Sequence, residues 1–177
     1  MTIEIEDGIN VTIHRTFPAS PARVWEAFVI ADQASLWMWG ANAANPSAKI
    51  DLRVGGRYRI EMDAPPGKED DWHSPRWAMS GVYVEIVEHA RLIYTLHWDG
   101  PVGYNQNGDE VLDEAAIVEF AGLDSPAGLD GATILTFRHI GIPPDGVSAA
   151  EHSRGVDATF DDLVAFLAEA PSDRSGV

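Results

Sequence analysis

SAAEHSRGVDATFDDLVAFLAEA, from Ser148 to Ala170, is the stretch that decides the fold. Ser148 and Glu151 are spaced as a capping box, in which the Ser hydroxyl meets the backbone N–H three residues on and the Glu reaches back to the cap. Behind it Val156, Phe160, Leu163 and Leu167 recur at helical spacing and make one apolar stripe. The pattern predicts an amphipathic helix from Ser148 to Ala168. A lone long helix after a body of strand-like segments needs a sheet to lie on. A sheet curved around such a helix leaves room for something apolar.

Working outward, Asn10 to Phe17 alternates, with Val11, Ile13 and Phe17 on one side and Thr12, His14 and Thr16 on the other, as a half-buried strand does. Ser20 and Pro21 then open a helix as cap and first helical residue, with Val24, Trp25 and Phe28 on its buried face. A second short helix is expected over Asp32 to Trp37. Lys49 to Leu52 reads as a short strand, Gly55-Gly56 as a turn, and Arg57 to Asp63 as a strand with Tyr58, Ile60 and Met62 on one face. Ala64 to Pro75, with three of the eleven prolines, reads as irregular loop. Further strands are expected over Ala78 to Val87, Leu92 to Trp98, Glu114 to Ala121 and Ala132 to Ile140. Short links between consecutive strands favour antiparallel pairing.

At 177 residues, the chain is long enough for one domain with a substantial core. One domain is expected over 1–177, its core at about 10–168 and a flexible tail at 171–177. The formal net charge of -16 repels nucleic-acid backbones and anionic membranes, so neither is an expected partner. With no Cys there is no disulfide framework or thiolate chemistry. Met1 to Asn10 lacks the basic start and apolar run of a secretory signal, and no segment has the apolar length of a membrane span. The expected location is the cytoplasm.

Several local patterns together resemble a known family. Arg15-Thr16-Phe17-Pro18-Ala19-Ser20-Pro21, followed by Val24-Trp25-Glu26-Ala27-Phe28, is similar to a family opening in which a strand ends at a cap and enters a helix with a Val-Trp pair. Trp37 sits where a family Trp closes the second helix. Leu52-Arg53-Val54-Gly55-Gly56-Arg57-Tyr58 resembles a double-glycine hairpin; Gly81 to Glu85 with Arg91 to Thr95 resembles the central hairpin, and Thr133 to His139 the final strand. The chain resembles the START and birch-pollen-allergen (SRPBCC) superfamily, and within it the homologues of the activator of the heat-shock-protein-90 ATPase. The resemblance implies an α+β helix-grip fold: a curved antiparallel sheet wrapped around the long C-terminal helix, with two short helices after the first strand. It departs from the family where Gly155 is followed by Val156 rather than Trp, and in the long acidic loop from Ala64 to Trp77. Members of the superfamily include carriers of hydrophobic ligands, polyketide cyclases and dehydratases, and chaperone cofactors, and fold alone does not choose among them.

Aromatic and Met side chains gather where a cavity would lie: Trp37, Trp39, Tyr58, Met62, Trp77, Met79, Tyr94, Trp98 and Phe120, with Phe160 and Leu163 as its helical wall. Ligand sites are mainly apolar with a few placed polar groups, a description this set meets, although ordinary core packing also uses such residues. His139 stands on the same face as Leu135 and Phe137 and is a candidate to bond a ligand oxygen or act as acid or base. His152 can approach it across the fold. A metal pair from these two lacks a third ligand at recognisable spacing, so no metal is expected. No cofactor is expected either, because the glycine turns lack the strand–loop–helix context of phosphate binding. His97 alternates away from Trp98 and is expected to face solvent. The acidic run Glu69-Asp70-Asp71 and the cluster Asp109-Glu110, Asp113-Glu114 read as solvated loops. The preferred expectation is a non-enzymatic domain holding an apolar or aromatic small molecule between helix and sheet, with loops 64–77 and 99–113 gating access. A cyclase, dehydratase or hydrolase using His139, and a chaperone cofactor, stay open as alternatives. A protein partner or a second copy of the chain is also open.

Overall fold

The structure, a computed structural model, describes residues 9–39, 43–67, 75–99, 114–123, 131–142 and 149–169. Ser148, His73, the run Glu69-Asp70-Asp71, residues 100–113 and the tail 171–177 lie outside the described residues. The element order is β1 (Ile9–Phe17), α1 (Pro21–Val29), α2 (Ala31–Trp37), β2 (Ala44–Ile50), β3 (Arg57–Asp63), β4 (Arg76–Val87), β5 (Arg91–Asp99), β6 (Glu114–Leu123), β7 (Ala132–Ile142) and α3 (Ala149–Ala168).

Local chemistry explains the helix pair. Ser20 Oγ accepts the Arg23 backbone N–H at 3.3 Å, and Pro21 occupies the first turn, where its missing N–H costs nothing. Ile30 adopts extended backbone, ending α1 and starting α2. The Trp37 indole then donates to the Ala27 carbonyl at 2.8 Å and ties the second helix back on the first.

Seven strands form one sheet in the order β1-β7-β6-β5-β4-β3-β2, every neighbouring pair antiparallel. The sequence-based strand at Lys49 to Leu52 is corrected: β2 runs Ala44–Ile50 and contains Pro46. Proline is tolerated there because β2 is an edge strand, where one side of the backbone needs no ladder partner. β3 keeps the expected bounds, the remaining strands run a residue or two past the expected ends, and β7 continues three residues beyond His139. Pairing, unlike hydrophobic alternation, does not stop at the last apolar residue.

Near its middle the sheet is drawn tight. A Cβ on Gly81 would lie 1.9 Å from the Thr95 carbonyl oxygen, so only glycine lets β4 approach β5 this closely. The same carbonyl accepts the Tyr58 hydroxyl at 2.8 Å, and the register shifts between Tyr83 and Glu85. Such a bulge adds local twist and bends the sheet. The apolar stripe of α3 packs into the concave side, with Phe160 and Leu163 buried and Val156 and Leu167 at the margin. Phe160 meets Phe17 and Phe137 edge to face, at centroid distances of 5.8 and 5.6 Å. Arg15 on β1 pairs with Asp157 and Asp161, and Arg23 on α1 lies 5.0 Å over the Phe166 ring. No helix among the described residues is long and apolar enough to cross a membrane.

Candidate functional site

Strand register brings three polar side chains into one line, and helix α3 adds a fourth. Leu96 faces Glu114 across β5 and β6, and Ala116 faces His139 across β6 and β7. Residues two apart share a face, so Trp98, Glu114 and His139 run diagonally over three strands on the concave side. The first turns of α3 add His152. Trp98 donates its indole N–H to Glu114 Oε2 at 3.1 Å, His139 Nε2 lies 2.9 Å from the same oxygen, and His139 Nδ1 lies 2.5 Å from His152 Nε2.

The line is unusual for where it lies. His139 is 1% and Glu114 7% exposed, amid Ala116, Phe137 and other apolar side chains. Buried charge is costly unless paired, and these groups are paired in series. Two donors converging on one oxygen is how a carboxylate, an acceptor only, is used. His139 Nε2 then carries its proton toward Glu114, Nδ1 accepts, and His152 Nε2 donates. Burial first, and then the neighbouring His139, lower the His152 pKa to about 4. His152 is therefore a neutral imidazole at neutral pH, and its Nδ1 makes no hydrogen bond among the described residues.

Next to this line lies a recess with about 10 Å³ of water-accessible space, lined by Phe28, Met38, Tyr58, Ile60, Met79, Tyr83, Leu92 and Tyr94. That is room for about one water. Met79 and Trp98 are cross-strand partners, so recess and polar line adjoin. Tyr58, Tyr83 and Tyr94 contact one another at centroid distances of 5.3 to 6.2 Å. Burial raises the pKa of all three, so each keeps its phenolic proton.

Of the residues singled out from sequence, Tyr58, Met79 and Tyr94 line the recess, while Trp98 and His139 belong to the polar line. Trp39 stands edge to face on Trp98 at 6.0 Å, and its indole N–H is buried without a partner among the described residues. Met62 and Trp77 are cross-strand partners at the far end of β3 and β4. Phe120 packs with Trp25 and Phe28, both at 5.4 Å, while Trp37, Phe160 and Leu163 are packed core beside the recess rather than its lining. His97 is half-buried and has interactions of its own. Sequence reading left out Met38, Tyr83 and, above all, Glu114, which stood among the loop acids. The alternation Glu114, Ala116, Val118, Phe120 would have placed it inside. Among the described residues there is no cluster of three or more His, Cys, Asp or Glu able to hold a metal ion.

The model of the family described as Activator of Hsp90 ATPase homolog 1-like protein matches residues 18–168. The chain belongs to this family. Solved structures agree on the fold. Protein CV1439 from Chromobacterium violaceum is 24% identical with a TM-score of 0.69, over 91% of this chain and 98% of that one. Protein Mll3558 from Rhizobium loti is 23% identical with a TM-score of 0.63, over 89% and 96%. CalU16 from Micromonospora echinospora is 17% identical with a TM-score of 0.54, over 90% and 76%. No curated protein matches the sequence significantly. Membership of the activator-like family accounts for the helix-grip scaffold, and the chemistry of the site rests on this chain's own Trp98, Glu114, His139 and His152.

Proposed function

We propose that this protein binds a small aromatic or apolar molecule on the concave face of its sheet, over Tyr58, Met79 and Tyr94. The carrying observation is the Trp98–Glu114–His139–His152 line, buried at Glu114 and His139, beside an apolar recess. Sites for small molecules combine apolar walls with a few convergent polar groups, and a hydrocarbon core alone has no use for a buried carboxylate. The recess has room for about one water, so a ligand makes space by displacing the flexible side chains of Met38 and Met79. The test is Met79→Trp, which fills the recess: affinity for naphthalene, followed by tryptophan fluorescence, is expected to fall by about tenfold or more. Unchanged affinity removes the recess from the site.

A second reading, proton transfer on the bound molecule as in a cyclase or dehydratase, is supported by the Glu114–His139–His152 arrangement, in which a carboxylate orients one imidazole and that imidazole a second. The family's name supports a third, a chaperone cofactor. Under that reading the purified protein changes a chaperone's ATPase rate, and an unchanged rate across a range of salt removes it.

A further inference from the structure

We infer that His152 Nδ1 is the ligand-facing atom of a proton relay that ends on His139 beside Glu114, and that the molecule it receives is a neutral hydroxyl acid, a phenol or an enol. The inference rests on the binding reading above and narrows its chemistry.

Direction comes from the hydrogen bonds. Trp98 and His139 both donate to Glu114 Oε2, which fixes the carboxylate and the His139 tautomer. His139 Nδ1 must then accept from His152 Nε2, and the imidazole nitrogen left with a lone pair is His152 Nδ1. His152 is half-buried while His139 and Glu114 are buried, so His152 is the member that a molecule can meet. Register supplies the position. Tyr94, Ala116 and His139 form one row across β5, β6 and β7, two strand spacings of about 4.8 Å end to end. Ala116 is the small residue of that row; it is buried and lies outside the recess, so a single ring reaching from the tyrosine cluster toward the histidines displaces the side chains packed over it.

Charge supplies the ligand class. A protein of formal net charge -16, with a carboxylate already buried in the site, disfavours a carboxylate or phosphate ligand. A neutral hydroxyl brings no charge in. When it reacts, its O–H bond breaks, the electron pair stays on the ligand oxygen, and the proton goes to His152 Nδ1. The proton on His152 Nε2 moves to His139 Nδ1, leaving an imidazolium against Glu114. Net charge is unchanged and no co-reactant is needed. Glu114 and His139 are positioning residues in this scheme, and Trp98 holds Glu114.

The experiment compares 4-nitrophenol with its methyl ether, 4-nitroanisole, on the whole protein at about pH 6, where free nitrophenol is mainly protonated and His152 is a neutral imidazole. The expected result is about tenfold tighter binding of the phenol together with the nitrophenolate absorption band. His152→Gln and Glu114→Gln should lose both the preference and the band, with an unchanged far-UV circular dichroism spectrum and a cooperative urea transition showing that they fold; Glu114→Asp should restore part of the band. Equal binding of phenol and ether by the wild type, without the band, overturns the relay and leaves the binding reading standing. A band that survives in both Gln variants also overturns it. Binding of neither compound overturns both readings.

Discussion

His152 is the residue at which chemistry and stability meet. Burial and the adjacent His139 lower its pKa to about 4 from an ordinary 6.5. In the unfolded chain it titrates at about 6.5, so between that pH and about 4 the unfolded state binds more protons than the folded one. Stability is therefore complete above the unfolded value and is lost as pH falls toward the folded value. The urea midpoint should drop across this window, and His152→Gln should flatten the difference. Because carboxylates also titrate at the acid end, the comparison is wild type against variant, and parallel profiles would contradict the assignment. At this scale the sequence was partly legible. His139 was visible as an inward residue of a strand and His152 as its neighbour across the fold. Glu114 was read as one more acid in an acidic segment, since a carboxylate at a strand start looks the same whether it points to solvent or to a histidine.

At the scale of elements, α3 is anchored by aromatic packing more than by charge. Phe160 is 2% exposed and touches Phe17, Phe137 and Trp37. The ion pairs of Arg15 with Asp157 and Asp161 involve exposed carboxylates and are worth little in water. Phe160→Ala should thus cost about 3–5 kcal/mol in denaturant unfolding. Arg15→Ala should cost well under that; the reverse order would show that helix docking had been misjudged. Helices and most strands were legible because period and caps are local signals: Ser20-Pro21 and the stripe from Val156 to Leu167 needed no tertiary information. β2 was misplaced because Pro46 argues against a strand everywhere except at a sheet edge, and edge position is a property of the whole topology.

For the whole molecule, curvature set by Gly81 and the β4 bulge turns the concave face toward α2 and α3, and side chains fill nearly all of the space between. The fold class followed from the element order, whereas the position of the recess did not. Phe160 and Leu163 lie on the right helix face to wall a cavity, yet the packed core occupies their side and the free space lies over β3 to β5. Which aromatic residues pack and which line a gap is decided by volumes across layers, information that no window of sequence contains. The central claim is that this gap opens for an aromatic guest. The direct test is NMR of the methionine methyls during a titration with naphthalene. Met38 and Met79 line the recess, while Met62, buried on β3 outside it, serves as an internal reference. Saturable shifts of Met38 and Met79 with Met62 little changed are predicted; no saturable shift, or equal shifts of all three, would contradict the claim.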